Sequence, residues 1–435
     1  MLSKRVSAPD ARPPGRRILL AEGSSLSARQ AITVLGLAGH DLEICDPDPL
    51  CIGRFSRFVR RFHRCPGLGR DPMGYLAFLL DLLAREKFDV LLPTHEQGYL
   101  LAKIPARLAS LTGIALPAFE DYANVLGKAG FSRLLTELRL PQPRTEIVSS
   151  AAELRRRIFF PAVVKAAIGT ASRGVRLVRD AGDLERVAAD FLEADEFSGE
   201  IVVQALAAGP LERAQAVFCH GHLVGAHAYR QIAEGAGGGD SIKESVSRPE
   251  VRAHLAQIGE RLQWHGALSV DYILDEPRRI PRYIDCNPRL VEPVNAMLSG
   301  VDLAGLLVEV SLGERPEVAA PSRAGVRTHM AILALMGCAL RGGSRPALLS
   351  EAWQLWRRSG AYAGGTEELT PVGIDPWSLF ALAYVAVRML AVPGSAAHLS
   401  RQTAQSHQLN RTAMRTIMDH VDAAPLASGT PAARP

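Results

Sequence analysis

Two apolar runs joined by a short turn constrain this chain more than any other part of its sequence. The first run, 266–274, contains Asp271, and the second, 282–289, contains Asp285. Between them lies Asp-Glu-Pro at 275–277, a sequence typical of a hairpin turn. We therefore expect the two runs to pair as a β-hairpin that brings Asp271 near Asp285.

The second run carries polar residues at a spacing of two. Residues i, i+2 and i+4 of a strand point to one face, so Asp285, Asn287 and Arg289 should converge. Carboxylate and amide oxygens suit Mg²⁺ bound to a polyphosphate, and arginine pairs with phosphate through its fork of donors. The hairpin predicts a metal site that includes Asp271; the alternative is a hairpin with solvated polar ends.

A lysine-bearing strand and a glycine-containing loop lie upstream. The run 160–165 ends at Lys165, the loop 166–174 follows, and 175–178 forms a second strand pattern. Backbone N–H groups of such a loop can close over phosphates, and Lys165 would add a point charge. No Gly-Lys-Ser/Thr follows, so this is not a P-loop, and an ordinary hairpin turn is the alternative.

Another apolar run, 200–209, ends in small residues. Such a strand edge can offer backbone groups to an adenine, although the run alone favours an ordinary core strand.

Taken in order, the lysine strand, glycine loop, apolar run, carboxylate strand and Asp-x-Asn-x-Arg motif resemble the ATP-grasp superfamily. The likeness is to members similar to carbamoyl-phosphate synthase and biotin carboxylase, and it covers roughly residues 17–318. It implies ATP held between two α+β subdomains with two Mg²⁺ ions, Mn²⁺ being the alternative ion. It also implies a carboxylate activated as an acyl phosphate and attacked by an amine or another nucleophile, which makes the chain a carboxylate–amine ligase.

The resemblance also implies roles for individual residues. Lys165 and Arg289 resemble the residues that act on phosphate or substrate, and Asp271, Asp285 and Asn287 resemble the metal ligands. Besides Lys165, the implied ATP site consists of Lys128, Gly169, Thr170, Ser172, Arg173, Gly174, Gln204, Ala205, Leu206 and Glu212.

The chain departs from the family pattern at several positions. Aspartate stands at 271 and 285 where relatives usually have glutamate, and Ala205 replaces a glutamate of the adenine strand, for which Glu212 is the candidate substitute. Glu292 follows the metal motif in place of a glycine-rich stretch and is a candidate for the acceptor pocket. These departures keep open a second hypothesis, a catalytically inactive ATP-binding protein with a regulatory or scaffolding role.

The amino-terminal part predicts a Rossmann-like βαβ unit, with strands over 17–21 and 41–46 and a helix over 28–38. It lacks a complete GxGxxG and is not a dinucleotide site. A later strand ends in Thr94-His95-Glu96, where open α/β sheets place ligands. Thr94 and Glu96 are therefore substrate candidates.

A glycine-rich segment, 235–243, predicts an irregular loop that approaches a ligand or closes over it. Arg230 and Lys243 flank it and would hold an anionic substrate or the γ-phosphate. The alternative is a solvated connection.

Composition excludes several classes. The 435 residues carry a net charge of only +5, and no basic stripe interleaved with aromatics indicates nucleic acid binding. The amino terminus has no apolar core typical of a secretory signal. The six cysteines are scattered without metal-binding spacing, which suits a reducing cytoplasm.

The carboxyl-terminal part predicts helices. Its apolar run 377–392 is short for a membrane span of ~20 residues, so a buried helix is favoured over membrane-surface contact.

The expected partners are small-molecule carboxylate and amine substrates, and a homodimer is left open. The predicted divisions are a disordered leader (1–16), a Rossmann-like domain that precedes the ATP-grasp region (17–118), a two-subdomain ATP-grasp domain (119–320, with a lid subdomain over about 125–204), a helical domain (321–422) and a disordered tail (423–435).

Overall fold

The computed structural model describes residues 15–167, 174–397, 399 and 408–421. Most of the predicted leader, the predicted tail and the glycine-loop positions Gly169, Thr170, Ser172 and Arg173 lie outside the described residues. Three sheets organise the described part of the chain.

The amino-terminal sheet is parallel, with strand order β3-β2-β1-β4. Its helix α1 begins after Ser25, whose Oγ accepts from the Ala28 amide at 3.0 Å. The helix ends at Gly39, whose φ of +91° is readily adopted by glycine. The elements are β1 (Arg17–Leu20), α1 (Leu26–Ala38), β2 (Asp41–Asp46), β3 (Val59–Arg64), α2 (Pro72–Glu86), β4 (Val90–Leu92), α3 (Gln97–Leu101) and α4 (Pro105–Ala109).

A second, antiparallel sheet has the order β5-β8-β6-β7. Its apolar side chains form a core with α7 and α8. The elements of this part are α5 (Phe119–Leu126), α6 (Lys128–Glu137), β5 (Thr145–Val148), α7 (Ala151–Arg157), β6 (Ala162–Lys165), β7 (Val175–Val178), α8 (Ala181–Glu193) and β8 (Ile201–Ala205).

The third sheet is the largest, with order β13-β12-β9-β10-β11-β14-β15. One of its faces is apolar and packs on α6 and α9. Along β9 the residues of the other face are Arg213 and Gln215, opposite Asp271 and Ser269 of β12. The elements are β9 (Leu211–Cys219), β10 (His222–Glu234), β11 (Asp240–Val246), α9 (Pro249–Leu262), β12 (Gly266–Asp275), β13 (Ile280–Asn287), α10 (Val294–Leu298), α11 (Leu303–Ser311) and β14 (Arg327–His329).

The carboxyl-terminal extension is mainly helical. It comprises α12 (Ala331–Leu340), α13 (Arg345–Arg357), the short strand β15 (Thr366–Glu367), α14 (Ser378–Ala391) and α15 (Arg411–Val421). Two expectations for this region of the sheet were wrong. The segment 327–329 lies in the part expected to be helical but is a strand paired with β11, and 240–243, expected to be irregular, belongs to β11. The two segments bond to each other although they are more than 80 residues apart in sequence.

A buried ion pair joins the amino-terminal and carboxyl-terminal parts. Arg29 of α1 lies 2.7 Å from Asp375, and both side chains are inaccessible to solvent. The carboxylate of Asp375 also accepts from Ser56 Oγ at 2.5 Å and from the Arg57 amide at 2.9 Å. Both carboxylate oxygens of Asp375 are thus hydrogen-bonded. Because Arg29 is the cation paired with this buried carboxylate, removal of Arg29 would leave a buried charge without its counter-ion.

Arg29→Met should lower the free energy of unfolding by about 3–5 kcal/mol, the usual cost of breaking a buried pair from one side. The matched control is Arg60→Met, which breaks the exposed Arg60–Asp41 pair and should cost less than about 1 kcal/mol. Urea denaturation followed by circular dichroism measures both, and equal losses would contradict a stabilising role for the buried pair.

Candidate functional site

The hairpin expected from the sequence is confirmed. Strands β12 and β13 are antiparallel, with Asp271 opposite Asp285 and Ser269 opposite Asn287. Directly opposed residues share a face, so the two carboxylates and the amide lie on the polar face of the large sheet.

Two lysines reach this hairpin from the smaller-sheet region. Lys128, the first residue of α6, places Nζ 2.9 and 3.0 Å from the two oxygens of Asp285. Lys165, the last residue of β6, donates to the backbone carbonyl of Ile284 at 2.6 Å and to Gln204 Oε1 at 2.8 Å. Both lysines are buried. The structure thus brings Lys128 and Lys165 to the same strand, β13, which is more than 100 residues away from each in sequence.

The ionisation of these groups is perturbed in a manner that suits an anionic ligand. Burial lowers the pKa of Lys165 to about 8, although Asp285 opposes the shift. Burial likewise raises the pKa of Asp271 to about 6, against the effect of Arg213. A bound anion would favour charged Lys165, and a bound cation would favour ionised Asp271.

Arg213 and Asp240 complete the cluster, and neither was predicted from the sequence. Arg213 Nε lies 3.4 Å from Asp271, and Nη1 is bonded to Asp240. Gln231 also donates to Asp240, at 2.7 Å. No motif marks Arg213; alternation along β9 identifies its face only once the register with β12 is known.

Arg289 connects the hairpin to the amino-terminal domain. Its Nη1 lies 3.0 Å from Ser27 Oγ of α1, and its Nη2 lies 3.4 Å from Asn287 Oδ1. The expected approach of Arg289 to Asn287 is therefore present, and the guanidinium lies where the two domains meet.

Gln204 and Ala205 are the last two residues of β8, and Leu206 follows the strand. The Gln204 amide is held by Lys165 and Thr145. The Ala205 amide donates to the Arg144 carbonyl at 2.8 Å, and the Leu206 amide lies at a long 3.4 Å from the Pro161 carbonyl. Leu206 is half-exposed. An adenine contact by this segment stays a prediction.

Glu212 and Arg230 lie on the apolar side of the large sheet, opposite to Asp271. Both oxygens of Glu212 are occupied by Arg230, Arg248 and the Tyr272 hydroxyl at 2.6–3.0 Å. The expectation that Glu212 substitutes for the missing adenine-strand glutamate is not supported, because the strand alternation turns it away from the lysines.

Lys243 and Arg230 do not form the expected pair around a loop, because they project to opposite faces. Lys243 is fully buried, 2.6 Å from Glu292 and 2.8 Å from Glu368. Burial opposes its charge, but the two carboxylates outweigh that effect and raise the pKa of Lys243. Glu368, which sequence reasoning missed, also accepts from Gln30 of α1 at 3.0 Å.

Thr94 and Glu96 lie at the carboxyl ends of the amino-terminal strands but serve structural contacts. Thr94 Oγ1 donates to Glu22 at 2.6 Å, and Glu96 accepts from the Leu409 amide at 2.6 Å. Asp46 lies close by, and burial together with repulsion from Glu22 raises its pKa to about 6. Glu22, which lies just after β1, and Asp46, the last residue of β2, were not predicted from the sequence.

Comparison with known proteins shows what this arrangement resembles. No family model and no curated protein matches the chain. The biotin carboxylase domain of 2-oxoglutarate carboxylase from Hydrogenobacter thermophilus, solved with MgADP, ADP and bicarbonate, matches with a TM-score of 0.56, 17% identity and coverage of 72% of this chain and 74% of that one. An ADP complex of N5-carboxyaminoimidazole synthetase from Staphylococcus aureus matches with a TM-score of 0.56, 10% identity and coverage of 74% and 84%.

A third solved structure, L-amino acid ligase from Bacillus licheniformis, matches with a TM-score of 0.52, 16% identity and coverage of 69% and 75%. The chain has the ATP-grasp fold. The resemblance recognised from the sequence is thereby confirmed at the level of the fold.

The raised pKa of Asp271 makes the free energy of unfolding depend on pH, and a variant can test this. Asp271 is protonated up to about pH 6 in the folded chain, whereas an unfolded aspartate ionises near pH 3.9. The folded state therefore holds more protons between these values, and stability falls as pH rises through this window. Asp271→Asn, in the presence of EDTA, should raise the free energy of unfolding by about 1–3 kcal/mol above pH 6. The gain should shrink towards pH 4.

Asp275→Asn is the matched control on the same strand. Hydrogen bonds from Arg282 and Arg278 lower the pKa of Asp275, so its removal should destabilise the protein above pH 4. Denaturation curves at several pH values show whether each variant raises or lowers the free energy of unfolding. A loss of stability in Asp271→Asn at pH 8 would contradict the buried-charge interpretation.

Proposed function

We propose that the protein is an ATP- and Mg²⁺-dependent ligase that activates a small carboxylate as an acyl phosphate for attack by an amine or another nucleophile. The observation that carries this proposal is the convergence of Lys128 and Lys165 on the Asp271–Asp285 hairpin. The fold is the one in which the three compared enzymes are built, which agrees with the same class of chemistry.

The two lysines supply the positive charge that a polyphosphate needs. Lys165 is buried and held by two neutral acceptors, so a phosphate would provide its full counter-charge. Lys128 pairs with Asp285 and could exchange part of that contact for a phosphate oxygen. In this proposal the segment Gln204–Leu206 would contact the adenine, and Gly174 would belong to the loop that covers the phosphates.

The residues of the hairpin fit a magnesium site. Asp271, Asp285 and Asn287 offer hard oxygen ligands on one face, and the raised pKa of Asp271 marks a carboxylate that lacks sufficient positive charge. These three residues would hold Mg²⁺, or Mn²⁺, which would neutralise phosphate charge. The aspartate side chains are shorter than those of glutamate. Lys128 contacts Asp285 and would supply part of the positive charge that balances this carboxylate.

The reaction follows the usual logic of phosphoryl and acyl transfer. An oxygen of the substrate carboxylate attacks the γ-phosphorus, the bond to the β–γ bridging oxygen breaks, and ADP leaves. The nucleophile then attacks the acyl carbon, loses its proton and expels phosphate. Lys128, Lys165 and Arg289 would stabilise negative charge by fixed position, the main contribution that proteins make to phosphoryl transfer.

The substrate pocket is proposed to lie between the hairpin and the amino-terminal domain. Arg289 reaches Ser27 there, and the buried cluster of Lys243, Glu292 and Glu368 reaches Gln30. A cytoplasmic location and small-molecule substrates are part of the same proposal. Thr94 and Glu96 would act indirectly, by positioning the strand ends.

ATP with Mg²⁺ should raise the melting temperature, whereas AMP should have little effect because it lacks the β- and γ-phosphates that the metal ion and the lysines would hold. A ligand at a hundredfold excess over its Kd stabilises the folded state by roughly 2.7 kcal/mol. Differential scanning fluorimetry at millimolar nucleotide measures the shift. Absence of any magnesium-dependent shift would contradict the proposal.

Lys165→Met should weaken ATP binding at least tenfold, and Asp285→Asn should abolish phosphate release in mixtures of carboxylates and amines while the fold is retained. Asp275→Asn, at the solvent-exposed end of the hairpin, is the control and should keep wild-type rates. Calorimetry and phosphate release provide the readouts. Wild-type rates in Asp285→Asn would show that the metal assignment is wrong, and tight ATP binding without turnover in any mixture would favour the regulatory alternative.

A further inference from the structure

Two neighbouring helices of the carboxyl-terminal extension expose an unusually apolar surface. On α13 the exposed side chains recur at one helical face, at Leu349, Trp353 and Trp356, and on α14 the same occurs over 377–387. We call these residues the aromatic surface, and each exposes more than half of its side chain: Leu349, Trp353, Trp356, Trp377, Phe380, Tyr384 and Val387.

The helices are fixed so that this surface faces outward. The opposite faces bury Leu348 of α13 and Val385 and Met389 of α14 against α12. Arg345, at the start of α13, donates to the carbonyls of Leu390 and Ala391 at the end of α14, so the two helices run antiparallel. The aromatic stripes therefore do not pack into the protein's own core, and patches of this kind mark interaction sites.

The rest of the chain cannot supply the missing cover. Outside the described residues the sequence contains only five large apolar residues, scattered over three segments: Met1, Leu2, Val6, Ile168 and Leu426. A segment that covered seven large side chains would need an apolar face of comparable size. None of these segments of the given sequence has such a face.

The charges around the surface identify the chemistry of the occupant. Between residues 341 and 392 all four exposed charged residues are arginines, namely Arg341, Arg345, Arg357 and Arg358. The four acidic residues of that range are buried or half-buried. A second copy docked by the same face would bring arginines together without exposed carboxylates, whereas a negatively charged bilayer surface would attract them.

We propose that the aromatic surface docks the protein onto a membrane that contains anionic phospholipids. Helices with one aromatic face and arginines at their ends lie in the plane of the bilayer interface, where tryptophan and tyrosine rings are favoured. Arg388 fits this geometry, since it donates to the Tyr384 hydroxyl at 2.7 Å and can extend towards headgroups. None of the helices in the described part of the chain is long and apolar enough to cross a bilayer, so the contact is peripheral.

Three of the four tryptophans belong to the aromatic surface, and the fourth, Trp264, is fully buried. Tryptophan emission therefore reports directly on docking. With vesicles of phosphatidylcholine and phosphatidylserine, the full-length protein should show a blue shift and should co-sediment. Binding should fall at least tenfold with pure phosphatidylcholine, and also on raising salt, because the arginine contribution is screened.

Two pairs of variants test the apolar and the charged contributions separately. Trp356→Gln/Phe380→Gln should weaken vesicle binding at least tenfold, whereas Leu50→Gln, an equally exposed apolar site elsewhere, should not. Arg357→Glu/Arg358→Glu should abolish the preference for phosphatidylserine, whereas Arg107→Glu, exposed on α4, should not. Circular dichroism confirms the fold of every variant.

The proposal fails if the wild-type protein ignores phosphatidylserine vesicles at low salt, or if the aromatic variants bind as well as the wild type. Sedimentation velocity supplies the competing outcome. Self-association that is lost in Trp356→Gln/Phe380→Gln, together with absence of vesicle binding, would assign the surface to a second copy and overturn the membrane proposal. Loss of ATP binding in the Lys165 variants leaves this test unaffected, since the aromatic surface does not depend on the proposed catalysis.

Discussion

The cost of removing charged groups from water governs the polar face of the large antiparallel sheet. Lys165 is buried and Asp271 and Asp285 are partly buried. Burial shifts the pKa of Asp271 and Lys165 towards their neutral forms. The pairing of Lys128 with Asp285 and of Arg213 with Asp240 and Asp271 offsets part of this cost. A nucleotide would bring negative charge to Lys165, and its metal ion would bring positive charge to Asp271. The burial that disfavours the ionised forms of these two residues would therefore favour binding.

Buried polar contacts also decide how the carboxyl-terminal extension relates to the rest of the chain. Asp375 pairs with Arg29, and Glu368 contacts both Gln30 and Lys243. The extension thus reaches the first helix of the chain and the large sheet, to which its strand β15 adds the edge next to β14. Its outer face remains apolar and arginine-rimmed, which separates a buried structural side from the side proposed to meet a membrane.

Much of the fold was predictable because it rests on local patterns. Strong apolar runs bounded by turn residues predicted the observed bounds of β2 and β7, and the Asp-Glu-Pro turn predicted the β12–β13 hairpin. Predictions failed where pairing is long-range: 240–243 became a strand through partners in β10 and β14, and Arg230 and Lys243 separated because the register places them on opposite faces. Glu212 was misplaced for the same reason, since a spacing of a few residues carries no information about the neighbouring strand.

The sequence by itself determined the order of the motifs, the hairpin that opposes Asp271 to Asp285, and the resemblance to ATP-grasp proteins, because these depend on residue type and short spacing. Only the tertiary structure decided that Lys128 contacts Asp285 and that Arg213 compensates Asp271, since these partners are brought together by the packing of two sheets. It also decided which side of α13 and α14 is exposed. A helical stripe of tryptophans is compatible with a buried or an exposed helix face. The packing of α13 and α14 on α12 decides which face is exposed.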